Sequence, residues 1–124
     1  THYKDLIESL NLSVSFLISP TTSEKRVRQI DSLSTGFIYA VSSSSTTGAR
    51  TEFSEEQCAY FKRLHEMKLK HPCLIGFGIS NKKTYSQACE YAAGAIVGSS
   101  FITTLIASKD LKSDIPEFVR SLLS

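Results

Sequence analysis

Small polar residues follow four short apolar runs of the sequence, at the positions where strands of a sheet would end. They are Ser19-Pro20-Thr21-Thr22, the stretch from Ser42 to Gly48, Gly76-Phe77-Gly78 and Gly98-Ser99-Ser100. None of these positions holds Asp, Glu, Lys, His or Cys. Glycine-rich turns, hydroxyl groups and helix N-termini together bind a phosphate dianion without Lys or Arg. The pattern therefore predicts a phosphate site built mainly from backbone N–H groups.

The segment LIGFGIS places two glycines around Phe77. Glycine allows a backbone to adopt positive φ or to approach another group closely, so this spacing favours a bound ligand near Gly78. A simpler interpretation is that Gly76, Gly78 and Gly98 only end strands in tight turns. Proton transfer needs a titratable group within reach of the substrate. The strand ends hold no Asp, Glu, Lys, His or Cys, so in either interpretation they lack a general acid or base.

Four strands alternate with helical patterns along the chain, and we predict them at about 14–19, 36–42, 73–77 and 94–98. Their continuous apolar runs indicate strands buried on both faces, as in a parallel sheet. We also predict a leading helix from Tyr3 to Leu10 and a last helix from about Asp114 to Leu123, with Pro116 in its first turn. Two architectures remain open, a small doubly wound sheet or part of a (β/α)8 barrel, which needs about 250 residues.

Composition excludes several classes of protein. The chain has 124 residues, 41% of them hydrophobic, and a net charge of +2, which is too small to indicate nucleic-acid or membrane binding. We treat residues 1–124 as a single region. The three cysteines stand about fifteen residues apart without a CxxC pair, so we expect no metal site, small buried thiols and a reducing, cytoplasmic location.

Four segments resemble, in order and spacing, the second half of the tryptophan synthase alpha chain family: FLISPTTSEKRVRQI, GFIYAVSSSSTTGAR, PCLIGFGIS and GAIVGSSF. The resemblance implies the C-terminal half of a (β/α)8 TIM barrel with four βα units. It implies a carbon–carbon lyase that cleaves indole-3-glycerol phosphate to indole and glyceraldehyde 3-phosphate in tryptophan biosynthesis. The partner would be the beta chain, in an alpha2beta2 complex, and pyridoxal phosphate would belong to that partner, with no cofactor in this chain.

The resemblance also assigns roles to individual residues. The substrate phosphate would be received by Gly48, Gly78, Gly98 and Ser99. The indole ring would be lined by Ile18, Tyr39 and Phe77. Thr47 would assist loop closure, and Ser45 departs from the family pattern, which has glycine there. The catalytic Glu and Asp of the family correspond to positions upstream of Thr1, so the 124 residues alone are predicted to be inactive.

Two alternatives of a different kind stay open at this point. The chain could belong to a non-catalytic regulatory subunit that binds a phosphate ligand and activates a beta chain. It could also be a stand-alone half-barrel, a phosphate-binding module that dimerises to cover its open strand edges.

Overall fold

The computed structural model describes residues 2–43 and 51–123. Within these ranges the chain forms four strands: β1 (Phe16–Ile18), β2 (Ile38–Val41), β3 (Cys73–Gly76) and β4 (Gly94–Ala95). It forms six helices: α1 (His2–Ser9), α2 (Glu24–Leu33), α3 (Glu55–Glu66), α4 (Lys82–Tyr91), α5 (Ser99–Ala107) and α6 (Leu111–Leu123). The alternation of strands and helices predicted from the apolar runs is confirmed.

The four strands form one parallel sheet in the order β1-β2-β3-β4. A doubly wound sheet reverses its strand order at a switch point, whereas a barrel adds each strand beside the previous one. The observed order is therefore that of consecutive barrel strands. Because all strands run the same way, their carboxyl ends lie along one edge of the sheet.

The two faces of the sheet differ in what covers them. One face carries Ile18, Ala40 and Ile75, which pair across the strands and pack into a core with α2, α3 and α4. The opposite face carries Leu17, Tyr39 and Leu74, which pair with one another in the same way. Leu17 is 63% exposed, so this second face, which we call the inner face, is open to solvent in this chain.

The strands are shorter than the apolar runs predicted. Val14 exchanges hydrogen bonds with Thr35, through its N–H to Oγ1 and its carbonyl to the Thr35 N–H, and so lies outside the ladder. β3 ends at Gly76 because Phe77 adopts a φ of +67°, which no strand residue has. β4 pairs over only two positions, and the predicted extension to residue 98 is wrong.

Three helices begin where polar side chains cap their free N–H groups. Ser23 and Asn81 accept bonds from Arg26 and Thr84, and Ser54 forms a reciprocal capping box with Gln57. The sequence Ser54-Glu55-Glu56-Gln57 has the pattern of a capping box, and the structure confirms it.

The start of α6 is not where the sequence indicated. This helix begins at Leu111, so Pro116 lies inside it rather than in its first turn. Asp110 supports the earlier start, because its carbonyl accepts from the N–H groups of Ser113 and Asp114. Pro116 removes one later helical bond without ending the helix.

The cysteines are less buried than predicted. Cys58, Cys73 and Cys89 are free thiols, and each is only partly buried. Burial still raises the pKa of the Cys73 thiol to about 11, so it is protonated near neutral pH. In the described parts of the chain, none of the helices has the length and apolar character needed to cross a membrane.

The amino end of the sheet is held by Asp31 on α2. Its carboxylate accepts from the N–H groups of Lys70 and His71, at 2.7 and 2.9 Å, and from Nδ1 of His71 at 3.0 Å. Burial raises the pKa of Asp31, but these bonds outweigh it and leave the pKa below its ordinary value. The contact fixes the segment that leads into β3.

Candidate functional site

Two aromatic rings meet on the inner face at the carboxyl ends of β2 and β3. Tyr39 and Phe77 lie edge to face, with ring centroids 6.0 Å apart and an interplanar angle of 65°. The backbone of Gly76 lies so close to Tyr39 that a Cβ at position 76 would overlap the tyrosine hydroxyl. Phe77 is 43% exposed, so its ring is available to a flat apolar ligand.

The turn after β3 has an unusual backbone. Phe77 and Gly78 both have positive φ, +67° and +81°. Positive φ is free for glycine but uncommon for an aromatic residue, so surrounding contacts must hold the turn. Ser42 at the end of β2 supplies one of them: its hydroxyl donates to the Phe77 carbonyl at 2.6 Å. The ring of Phe53 supplies another, since a Cβ at Gly78 would stand 3.2 Å from its Cε1.

Two amide side chains hydrogen-bond to Ser42 and Phe53 and hold these residues in place. Gln57 on α3 donates from Nε2 to the Ser42 carbonyl at 3.3 Å, while its Oε1 accepts from the N–H of Ser54. Gln87 on α4 accepts from the N–H of Phe53 at 2.8 Å and donates to its carbonyl at 3.4 Å. The turn after β3 is therefore supported by Ser42, Phe53 and side chains of α3 and α4.

The first turn of α5 lies next to this turn. The hydroxyl of Ser100 donates to the Ile79 carbonyl at 3.2 Å, which joins the start of α5 to the loop after Gly78. Gly98 caps α5 without a side-chain hydrogen bond, and a Cβ at Gly98 would meet nothing within 4 Å. Gly98 and Ser99 are both exposed, and the N–H groups and dipole at the start of a helix favour an anion.

The charges around this edge of the sheet are sparse. The described residues directly after the four strands include no Asp, Glu, His or Lys, and so supply no general acid or base. Partial burial raises the pKa of the Tyr39 phenol, so it stays neutral and can donate a hydrogen bond. Lys82 and Lys83 are exposed at the start of α4. Across residues 2–43 and 51–123, no group of three His, Cys, Asp or Glu side chains could hold a metal ion.

Five of the residues proposed from the sequence lie along this edge. Tyr39 and Phe77 are in contact, and Gly78, Gly98 and Ser99 lie on two adjoining segments that Ser100 connects. Their predicted phosphate and indole roles stay predictions.

Ile18, by contrast, does not lie with this group. Ile18 is 2% exposed and packs in the core, on the face opposite Tyr39, so a ligand on the inner face would meet Leu17 from that strand. Its predicted place in the indole wall is not supported by this register. Thr47 and Gly48 lie outside the described residues, as does Ser45.

Sequence reasoning missed the residues that hold the turn. Ser42 was one serine in a run of four, and nothing in the pattern distinguished it from its neighbours. Phe53 carried a readable signal, since an apolar residue directly before a helix cap commonly packs against that helix. The capping box indicated one role of Gln57, but its second bond, to Ser42, depends on how α3 packs on β2.

A separate cavity of about 270 Å³ opens at the other end of the sheet. It lies between α3 and α4 near the start of β3, and its lining includes His65, Pro72, Cys73 and Tyr91. Functional groups in parallel α/β folds collect at the carboxyl ends of the strands, so this cavity is not the candidate site.

Comparisons with known proteins identify the family to which this chain belongs. The family model described as tryptophan synthase alpha chain matches residues 1–121. The tryptophan synthase alpha chain of Bacteroides thetaiotaomicron is 52% identical over 109 residues, covering 88% of this chain and 43% of that protein. That of Flavobacterium psychrophilum is 50% identical over 121 residues, covering 98% of this chain and 47% of that protein. The chain spans about half the length of the curated relatives it matches.

A solved structure shows the same fold. The tryptophan synthase A-subunit of Pyrococcus furiosus superimposes with a TM-score of 0.82 at 24% identity, covering 98% of this chain and 49% of that one. The four parallel strands and their helices are thus half of a (β/α)8 TIM barrel, and the open inner face is the barrel interior. With a family model over almost its whole length, the chain belongs to the tryptophan synthase alpha chain family.

Proposed function

We propose that this chain is the phosphate- and indole-binding part of an alpha chain that cleaves indole-3-glycerol phosphate to indole and glyceraldehyde 3-phosphate. The observation that carries the proposal is the turn after β3. It presents the Phe77 ring, beside Tyr39, towards the inner face, and it brings Gly78 next to the first turn of α5. An aromatic surface beside backbone N–H groups suits a substrate that joins an indole ring to a phosphate.

The described residues would bind and orient the substrate rather than transfer protons. Gly78, Gly98 and Ser99 would receive the phosphate through backbone N–H groups, and the indole ring would lie against Tyr39 and Phe77. Holding both ends of the substrate fixes the bond to be broken relative to the catalytic groups, which is a large source of rate enhancement. The acid and base of this carbon–carbon lyase would come from carboxylates elsewhere in the full-length polypeptide.

The partner we propose is a tryptophan synthase beta chain, which would receive the indole. Pyridoxal phosphate would belong to that partner, and this chain would need no cofactor of its own. We propose a cytoplasmic location on the same family ground. The membership of the chain in the alpha chain family supports each of these points.

Kinetics of the full-length polypeptide with indole-3-glycerol phosphate test the proposal. Phe77→Ala should raise KM about tenfold, because the ring contact with the indole is lost while the catalytic groups stay in place. Tyr91→Ala is the matched control, since it removes a ring that pairs with His65 at the other end of the sheet. KM should then change by less than about twofold. An absence of cleavage by the unsubstituted polypeptide, or equal effects of the two variants, would contradict the proposal.

A further inference from the structure

The peptide bond between Phe77 and Gly78 is held at its carbonyl end. Ser42 donates from Oγ to the Phe77 oxygen at 2.6 Å, a short bond for two uncharged groups. A trans peptide is planar, and its C=O and N–H point in opposite directions. Fixing the carbonyl therefore also fixes the direction of the Gly78 N–H, which points away from Ser42.

Ser42 is itself held so that its hydroxyl has little freedom. Its N–H donates to the Gly76 carbonyl at 3.0 Å, and its carbonyl accepts from Nε2 of Gln57 at 3.3 Å. The residue is 3% exposed, so water competes poorly for the hydroxyl. A buried hydroxyl with a fixed backbone can hold the orientation of a neighbouring peptide.

The turn itself does not fix the orientation of the Phe77–Gly78 peptide. Rotation of this peptide changes ψ of Phe77 and φ of Gly78, and glycine accepts φ of either sign. Such a rotation would turn the Gly78 N–H away from its present direction. The Ser42 bond opposes this rotation, because the carbonyl would leave its donor in a dry environment.

We infer that Ser42 is a positioning residue for the substrate phosphate, acting by aiming the Gly78 N–H. It does not touch the phosphate; it sets the orientation of a peptide that does. This inference rests on the proposed function, which places the phosphate at Gly78. It gives Ser42 a specific effect on phosphate affinity, in addition to the contribution that a buried, hydrogen-bonded serine makes to stability.

The chain offers a matched control in Ser34. This residue is also buried, and its hydroxyl also donates to a backbone carbonyl, that of Ile30, at 2.8 Å. It lies at the end of α2, at the amino end of the sheet, far along the chain from the turn after β3. Ser34→Ala and Ser42→Ala therefore remove similar bonds, but only one of them orients the Gly78 peptide.

The experiment follows the Gly78 amide by NMR in the full-length polypeptide while glycerol 3-phosphate is added. In the unsubstituted protein this signal should shift on binding. Ser42→Ala should weaken glycerol 3-phosphate binding about 3- to 10-fold, the range for losing one hydrogen bond. Ser42→Cys fills the same space with a weak donor and should weaken it similarly, so the test does not depend on one variant folding. Ser42→Thr restores the hydroxyl and should bind within about twofold of the unsubstituted protein.

A kinetic measurement separates positioning from general support. Ser42→Ala should raise KM for indole-3-glycerol phosphate with little change in kcat, because the phosphate contact is the same in ground and transition states. Ser34→Ala should change neither the affinity nor KM by more than about twofold, even where it lowers the unfolding temperature as much.

Two results would overturn the inference about Ser42, and a third would also contradict the proposed function. Unchanged affinity in Ser42→Ala, with the Gly78 signal still shifting, would show that Ser42 does not orient the donor. Equal weakening by Ser34→Ala and Ser42→Ala would show only a structural role. If the Gly78 signal of the unsubstituted protein did not respond to glycerol 3-phosphate at all, the phosphate site of the proposed function would itself be wrong.

Discussion

The hydroxyl of Tyr39 occupies the space that a Cβ on Gly76 would fill. This relationship explains the first of the two glycines around Phe77, since any larger residue would displace the tyrosine from the inner face. The second glycine has a different reason, because Gly78 has a φ of +81° and packs under the ring of Phe53. One glycine thus makes room for a side chain, and the other permits a turn.

The first prediction concerns the contact between Gly76 and Tyr39. Gly76→Ala should lower the free energy of unfolding by about 1–3 kcal/mol, because the added methyl group overpacks the tyrosine. In a Tyr39→Ala background the same change should cost close to zero, since the φ of Gly76 is not in the left-handed region. Urea unfolding of the four proteins in this double-mutant cycle measures the coupling. Equal costs in both backgrounds would show that Tyr39 is not the obstacle.

The second prediction separates folding from anion binding at two glycines. Gly78→Ala should cost about 1–2 kcal/mol of stability, because alanine resists positive φ. Gly98→Ala should change stability by less than about 0.5 kcal/mol, because its Cβ meets open space. That open space lies beside the first N–H groups of α5, so Gly98→Ala should still weaken phosphate binding. Thermal unfolding and phosphate titration of each variant check the pair; unaltered binding in Gly98→Ala would place the anion elsewhere.

The third prediction concerns pH and Asp31. Its hydrogen bonds hold the folded-state pKa below the ordinary value of 3.8, so the carboxylate contributes stability above that value. This contribution is lost as the pH falls through the folded-state pKa, because the unfolded chain then binds the proton more readily. Asp31→Asn should therefore be less stable than the unsubstituted protein by about 1–3 kcal/mol at pH 7. The difference should shrink below pH 3.8.

Urea unfolding between pH 7 and pH 3 measures this difference. Asp5→Asn is a suitable control, because Asp5 is an exposed carboxylate on α1. The control should show almost no difference at either pH. A gap between Asp31→Asn and the unsubstituted protein that stayed constant across this range would contradict the assigned role of the carboxylate.

Local signals in the sequence were enough to predict the order of the strands and helices. The cap at Ser54 acts through Gln57, three residues later, so its effect could be predicted directly. The predictions that the structure does not support depended on packing between distant segments. The face on which Ile18 lies follows from strand register, and the tolerance of Pro116 inside α6 follows from bonds that begin at Asp110.

The hydrogen bond between Ser42 and Phe77 could not be predicted from the sequence for the same reason. Its partner Phe77 lies 35 residues away, and the bond exists only because β2 and β3 pair in one register. A run of serines gives no sign of which hydroxyl will be buried.

The most direct test of the proposed function is a crystal structure of the full-length polypeptide with indole-3-glycerol phosphate bound. We expect the phosphate within hydrogen-bond distance of the backbone nitrogens of Gly78 and Ser99, with the indole ring against Tyr39 and Phe77 on the inner face. We also expect Lys82 and Lys83 to make no direct contact with the phosphate. A phosphate held by those two lysines, or an indole ring away from the inner face, would contradict the proposed function.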